Sequence, residues 1–260
     1  MLRETDERFH IISQCPIKVF AAGNMDRYWY PYRLQTCEYA KPSVRRQSLE
    51  YMIDCAINNE EITNEDVLDA AIEHNATYVI PKDYFGEMDK TTDSVLEFLD
   101  EHKRRECTAT PIIPLQPPHA DHYDDLPGYG MYALGGLNQL SSEEIIQYLH
   151  EFDDKVPSSV YRHGFGFGTT LKLIQELAHN PHLLDSLDVS SHELQVRCGK
   201  ITDRRWHSRQ FLYPTGTDTT TIRSMYAVDV LLKLNYMLGP LCNDEVLDAD
   251  PSDFTHFNKK

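Results

Sequence analysis

The sequence lacks several features that mark particular protein classes. No apolar run approaches the ~18 residues of a membrane-spanning helix, so no membrane partner is expected. The 6 cysteines are scattered singly without a Cys-x-x-Cys pair, which argues against a compact zinc knuckle and indicates reduced, structural thiols. No strand-like run leads into Gly-x-Gly-x-x-Gly, which disfavours a dinucleotide-binding fold.

Basic residues are also scarce. The 260 residues include 25 Lys and Arg against 41 Asp and Glu, a formal net charge of −16 at pH 7. Such a protein repels phosphate at long range, so a nucleic-acid partner requires a locally basic face or salt that screens the repulsion. The polar start of the chain, with mixed charge, is unlike a signal peptide, and we expect a soluble, cytoplasmic protein.

Strand-length apolar runs alternate with amphipathic helical stretches, the pattern of βα units around a parallel sheet. The strands are predicted at residues 16–22, 51–53, 77–81, 110–115, 129–134, 158–163 and 183–188, with an eighth near 195–201. Helices are predicted after Thr63, over 92–105, from the capping box at Ser141 through 152, and over 169–178 and 219–238. We therefore predict an α/β fold, a (β/α)8 TIM-type barrel. It is expected to form a single domain over 1–260, with its core at about 16–240 and an irregular N-terminal segment. An open doubly wound sheet is the alternative.

In a parallel barrel, functional residues collect where the strands end. The residues that close the predicted strands are Asp54, Asp83, Gln116, Gly135, Gly136, His163, Gly164 and Asp188. One such acid can equally cap a helix or order a loop. Three acids with a glutamine and glycines indicate a site that reads a polar ring and performs carboxylate chemistry.

Four other segments are weaker candidates. His119-Ala120-Asp121-His122 carries metal-ligand types in a polar loop, but no metal is expected there. The glycine run 164–168 fits a phosphate cradle or a plain turn. The aromatic and basic cluster at 27–33 fits base stacking or packing on the barrel. The densest basic region is a candidate phosphate-binding face, with a solvated charged surface as the alternative; it contains Arg197, Lys200, Arg204, Arg205 and Arg209.

The order of these motifs resembles the tRNA-guanine transglycosylase superfamily, which includes archaeosine-type tRNA enzymes and viral DNA-guanine transglycosylases. The segment 185–191 (DSLDVSS) is similar to the family's Asp-x-Phe-Asp-Ser-Ala-Ala, and 132–137 (YALGGL) to its Tyr-Ala-Ile-Gly-Gly-Leu. The segments 114–116 (PLQ), 79–83 (VIPKD) and 164–166 (GFG) are similar to its Val-Gln, its base-binding aspartate strand and its Gly-x-Gly turn. The motifs are short and lie in the family's order over about residues 50–205.

The resemblance implies a pentosyltransferase that replaces guanine in a polynucleotide with a 7-deazaguanine. Asp188 matches the nucleophile that forms a covalent aspartyl-nucleoside intermediate, and Asp54 is expected to handle protons or orient the sugar. The base would be bound by Asp83 and Gln116. Backbone contacts would come from Gly135, Gly136 and Leu137, and His163 and Gly164 would complete the pocket.

The chain also departs from the family pattern. Of the family's Asp-Ser-Gly-Gly-Phe, only Asp54 is kept in 54–58 (DCAIN), and His163 is expected to replace part of the lost stacking. The zinc cysteines are absent, so no cofactor is expected, and no RNA-binding extension is expected after the barrel.

These departures favour DNA as the polymer, with tRNA as the alternative and the host cytoplasm as the location if the protein is viral. A catalytically silent barrel that binds nucleic acid or a partner subunit, and a small-molecule glycosyl hydrolase or transferase, are further alternatives. A homodimer is possible on the resemblance.

Overall fold

The computed structural model describes residues 2–55, 59–202, 206, 208–210, 219–240 and 242. Nine strands form one sheet in the order β5-β4-β3-β2-β1-β9-β8-β7-β6, and every neighbouring pair is parallel. The strands are β1 (Lys18–Ala22), β2 (Tyr32–Thr36), β3 (Glu50–Asp54), β4 (Tyr78–Val79), β5 (Thr110–Pro111), β6 (Ile113–Leu115), β7 (Met131–Leu134), β8 (Tyr161–Gly164) and β9 (Ser186–Val189). The two edge strands β5 and β6 are separated in the chain only by Ile112. The sheet is therefore a nearly closed parallel barrel of the TIM type.

The helices follow the strands around this barrel. They are α1 (Leu2–Gln14), α2 (Pro42–Arg45), α3 (Asn64–Glu73), α4 (Met88–Arg104), α5 (His119–His122), α6 (Ser142–Lys155), α7 (Leu171–His179), α8 (Ser191–Arg197) and α9 (Thr219–Leu238). After α8, strands β10 (Lys200–Thr202) and β11 (Ser208–Gln210) form a separate antiparallel pair. No helix in the described part of the chain has the length and apolar character needed to cross a membrane.

Side chains at the predicted helix starts satisfy the first backbone N–H groups. At α3, the Thr63 side chain accepts a hydrogen bond from the backbone N–H of Asp66, and the Asp66 carboxylate accepts one from Thr63 N–H at 2.8 Å. At α6, Ser141 and Glu144 make the same reciprocal pair. The capping box expected at Ser141 and the helix start expected at Thr63 are confirmed, and the structure shows a capping box at Thr63 as well.

Alternation along each strand separates the interior of the barrel from the layer beneath the helices. On β1, Val19 and Ala21 pack in a cluster with residues of α6, α7 and α9, whereas Phe20 and Ala22 belong to a second cluster. That second cluster fills the barrel and contains Phe20, Ala22, Leu34, Met52, Ile80, Ile112 and Ala133. Residues in register with Phe20 therefore also face the interior.

The structure differs from what the sequence led us to expect in three places. The second barrel strand, β2, was missed because Arg33 and Gln35 interrupt its apolar character; both side chains are buried, and the Arg33 guanidinium lies 4.2 Å from the Tyr28 ring centroid. The strand expected near 195–201 is wrong, since this segment contains the end of α8 and the start of β10 outside the barrel. The N-terminal segment, expected to be irregular, contains α1. The extent of the single domain stays a prediction.

Candidate active site

The carboxyl ends of the barrel strands surround a cavity of about 690 Å³, which we call the rim cavity. Three strands or the loops directly after them supply its carboxylates, Asp54 at the end of β3, Asp83 after β4 and Asp188 on β9. The other lining residues are Glu60, Lys82, Tyr84, Phe85, Glu87, Lys90, Gly135, Gly136, Asn138, Gln139, Phe165 and Gly166. The structure thus brings together the acids that the sequence placed at strand ends.

Asp188 is aimed into the barrel mouth by its position on β9. It pairs in register with Phe20, an interior residue of β1, and is 6% exposed. Its Oδ1 accepts a hydrogen bond from the Gly166 N–H at 2.7 Å. Its Oδ2 accepts none from the residues that the structure describes. One carboxylate oxygen is therefore fixed and the other is available to a ligand.

Asp83 and Gln116 form a buried polar pair at the opposite side of the cavity. Gln116 Nε2 donates to Asp83 Oδ2 at 2.8 Å, and Gln116 Oε1 accepts from the Gly86 N–H at 3.3 Å. The Cys55 thiol donates to Asp83 Oδ1 at 3.3 Å. Burial raises the pKa of Asp83, while the hydrogen bonds from Cys55 and Gln116 oppose that rise. Asp83 lines the cavity and can present its carboxylate to the edge of a polar ring, and Gln116, which is 1% exposed, holds that carboxylate in place.

The glycine pair after β7 forms a bare part of the cavity floor. A Cβ at Gly135 would lie 3.0 Å from Gln116 Nε2, so a side chain here would disturb the Asp83–Gln116 pair. Gly136 has φ of +70°, a conformation that favours glycine, and a Cβ there would lie 2.8 Å from Phe85 Cε2. Both glycines therefore line the cavity without a side chain, and Gly136 is the more open of the two.

The expected backbone donors need one correction. The Gly135 N–H donates to the Leu115 carbonyl at 2.9 Å, so the sheet already uses it. Neither Gly136 nor Leu137 donates its N–H to a described residue. Leu137 is otherwise a core residue, since its side chain is 0% exposed. Gly136 lines the cavity, so its N–H is the expected donor that remains at the floor, whereas Leu137 does not line the cavity.

His119 supports this floor from below. Its ring is buried, and burial lowers its pKa to about 4, so the imidazole is neutral near pH 7. Nε2 lies 2.8 Å from the Gly135 carbonyl, which requires the Nε2–H tautomer. The neighbouring His122 instead faces Asp125, with Nδ1 2.8 Å from Oδ2. Among the residues described, no three His, Cys, Asp or Glu side chains come together as a metal site.

Asp54 is the acid with the strongest electrostatic perturbation. Its pKa is raised well above the ordinary value, first by desolvation and then by the charges of Asp83 and Asp188. Part of its side chain stays open to the cavity. Asp54 therefore keeps its proton at pH values where an ordinary aspartate has lost it.

His163 and Gly164 do not line the cavity. The His163 ring is 0% exposed and makes edge contacts with Phe20 and Phe165, with centroids 5.8 Å and 5.2 Å away. It therefore has no open face on which a base could stack. A Cβ at Gly164 would lie 2.9 Å from Leu184 Cδ1, so this glycine is required by packing.

Two aromatic residues that were not among the expected site residues form part of the cavity wall. Phe85 is 45% exposed and lies over Gly136, and Phe165 follows β8 directly. An aromatic residue two positions after the strand-end Asp83 was a usable signal for Phe85. Both rings offer apolar surface for a flat ligand.

The basic region is described only in part. Arg197 is half-exposed at the end of α8, where it lies 3.3 Å from Glu193, and Lys200 is exposed at the start of β10. Arg204 and Arg205 lie outside the described residues. In the aromatic and basic cluster at residues 27–33, Tyr28 and Tyr30 are buried, whereas Trp29 is 41% exposed. Packing explains most of that cluster.

Fold and cavity together define a parallel α/β barrel with a carboxylate-lined site at the carboxyl ends of its strands. No protein-family model and no curated protein matches the chain. Any assignment of function therefore depends on the geometry of the rim cavity and on the order of the motifs. That geometry places a carboxylate with a free oxygen in one cavity with a second carboxylate and bare backbone, groups that can act as a nucleophile and as hydrogen-bond partners of a ligand.

Proposed function

We propose that the protein is a base-exchange transglycosylase, an enzyme that replaces guanine in a polynucleotide with a 7-deazaguanine. The observation that carries the proposal is the placement of Asp188, whose unbonded Oδ2 belongs to the same cavity as Asp83, the hydrogen-bond partner of Gln116, and the bare glycine floor. A carboxylate nucleophile suits the oxocarbenium-like centre of glycosyl transfer. The motif order supports the same reaction.

Asp188 Oδ2 would attack the anomeric carbon of the guanosine nucleotide, breaking the bond to guanine N9 and forming a covalent aspartyl-nucleoside. The bonding pair leaves with guanine, which takes up a proton. The incoming 7-deazaguanine then loses its N9 proton, attacks the same carbon and releases the Asp188 carboxylate. Two displacements retain the configuration.

Asp54 is suited to the proton transfers because its pKa is raised, so it is protonated in the range where a general acid is needed. It would protonate the departing guanine and accept the proton of the incoming base.

The base would be held by complementary hydrogen bonds. Asp83 would accept from the ring N–H and the exocyclic amino group of guanine, and Gln116 Nε2 would donate to the ring carbonyl after exchanging its bond to Asp83. The Gly136 N–H is a further donor for that carbonyl. Phe85 would cover a face of the ring.

DNA is the proposed polymer, because the sequence lacks the family's zinc cysteines, which leaves the usual tRNA-docking apparatus reduced. Arg197 and Lys200 lie shortly after Asp188 in the chain and would contribute to a phosphate-binding face. A base inside a duplex is inaccessible to Asp188, so the target nucleotide must be flipped or unpaired.

The test is an exchange assay with radiolabelled guanine, run with duplex DNA, single-stranded DNA and tRNA at low and high salt. We expect label in DNA, and label in tRNA alone would reassign the polymer. Asp188→Asn should abolish exchange, whereas Asp185→Asn, a control in the same motif whose carboxylate accepts from Arg162 N–H at 2.8 Å, should retain it. Absence of exchange with every polymer, or full activity of folded Asp188→Asn, would refute the proposal.

A further inference from the structure

His163 has a buried nitrogen whose role the base-binding site does not explain. The ring lies beneath the rim cavity with Nε2 inaccessible to solvent and without a hydrogen-bond partner. The same atom lies 3.6 Å from Asp188 Oδ1, which is too long for a hydrogen bond but within ion-pair distance. Among the described residues, Asp188 has the one carboxylate that lies within 4 Å of the His163 ring nitrogens.

Neighbouring groups fix the orientation of this ring. Nδ1 lies 2.7 Å from the Ser186 hydroxyl, which is in register with His163 across β8 and β9. Ser186 and Asp188 are two residues apart on β9 and therefore face the same side of the strand. The ring spans the distance between them, and the edge contacts with Phe20 and Phe165 restrict its rotation.

The tautomer follows from electrostatics. An Nε2 lone pair would face the negative carboxylate, whereas an Nε2–H points a positive group at it. The Ser186 hydroxyl can donate to an unprotonated Nδ1, which leaves the proton on Nε2. The Ser186 hydroxyl, which can donate or accept, permits this tautomer, and the Asp188 carboxylate favours it.

We infer that His163 is a positioning residue for Asp188, presenting Nε2–H to Oδ1 while Nδ1 is held by the Ser186 hydroxyl. The Gly166 N–H donates to Oδ1 at 2.7 Å and the His163 Nε2–H faces the same oxygen at 3.6 Å, which leaves Oδ2 as the attacking oxygen. The catalytic consequence rests on the proposed function. In that reaction, the contact stabilises the carboxylate that leaves when the second base attacks.

The tautomer is tested by long-range ¹H–¹⁵N NMR of histidine-labelled protein, with the His163 signals assigned by their loss in His163→Gln. We expect a protonated Nε2, an unprotonated Nδ1, and a change of the Nε2 shift in Asp188→Asn. A proton on Nδ1 with Nε2 bare, or shifts that are the same in Asp188→Asn, would overturn the inference. This readout needs no activity, so it decides the contact even if no exchange is found and the proposed function fails.

Steady-state kinetics of variants test the catalytic consequence of the contact between His163 and Asp188. His163→Leu should lower kcat roughly ten- to one-hundred-fold, the range for losing one interaction with a charged group, with KM for guanine nearly unchanged. His163→Gln keeps an N–H near the Nε2 position and should recover part of the lost kcat. The kcat of Ser186→Ala should lie between those of the wild type and His163→Leu. His192→Gln removes another wholly buried ring, 2.9 Å from the Tyr28 hydroxyl, and controls for packing. Equal losses of kcat in all folded variants, without rescue by glutamine, would overturn the positioning role.

Discussion

Replacement of Asp54 by asparagine tests how the three carboxylates of the rim cavity share charge. Desolvation, Asp83 and Asp188 raise the pKa of Asp54 well above its ordinary value of 3.8. Asparagine has nearly the same shape and stays neutral at every pH. The variant therefore removes the charge without emptying the site.

The sign of the effect follows from proton binding. Above about pH 4, the unfolded chain has lost the Asp54 proton while the folded chain still binds it, so the folded state binds more protons. The free energy of unfolding of the wild type then falls as the pH rises towards the folded-state pKa. Each unit by which that pKa is raised is worth about 1.4 kcal/mol, reduced by the solvent that reaches the open part of the side chain. Asp54→Asn should match the wild type in acid and be more stable near pH 7.

Urea unfolding followed by circular dichroism, at pH values from 4 to 8, measures this difference. Asp66→Asn is a control of opposite sign, because hydrogen bonds from Thr63 lower the pKa of Asp66. That carboxylate stabilises the fold above its ordinary pKa, so its loss should weaken the protein near pH 7 rather than strengthen it. Parallel pH profiles for the wild type and Asp54→Asn, or a variant less stable at pH 7, would refute the reasoning.

Three further substitutions give distinct outcomes. Gly135→Ala places a methyl group 3.0 Å from Gln116 Nε2, so calorimetry should show lost guanine binding at a nearly unchanged unfolding temperature, and unaltered affinity would contradict the floor assignment. Phe98→Ala on α4 empties a 0% exposed site and should lower the free energy of unfolding by about 3–5 kcal/mol, whereas Leu96→Ala on the same helix, 49% exposed, should change it by less than about 1 kcal/mol. Thr63→Ala removes the capping box of α3 and should cost about 1 kcal/mol in urea unfolding, and no change would show that the cap is dispensable.

The ends of the strands could be predicted because a buried parallel strand is one short, continuous run of apolar residues in the sequence. Asp54, Gln116 and Asp188 each lie at or next to the end of such a run, and the structure places all three at one rim. Strand β2 was not predictable in this way. The Arg33 guanidinium is buried because it donates to the Met25 carbonyl at 2.7 Å and stacks on Tyr28, interactions that depend on the loop between β1 and β2.

The direction of a side chain was harder to predict than its position. His163 lies where the sequence placed it, yet its ring turns towards Ser186 and Asp188 because Phe20 and Phe165 occupy the space around it. Cys55 was read as a structural thiol, and its contact with Asp83 depends on two loops that are distant in sequence. Such contacts are set by tertiary packing, which strand periodicity does not encode.

The three carboxylates of the cavity differ in their electrostatic surroundings. Three carboxylates cannot all be ionised at close range without large repulsion, and their environments decide which one keeps a proton. Asp188 receives the Gly166 N–H and faces His163, whereas the pKa of Asp54 is raised first by burial and then by the charges of both other acids. Glycosyl transfer needs one ionised carboxylate to attack and one protonated group to assist the leaving base. On the proposed mechanism, the burial and the repulsion that destabilise ionised Asp54 thus supply the acid, and stability gained by Asp54→Asn should be accompanied by slower departure of guanine.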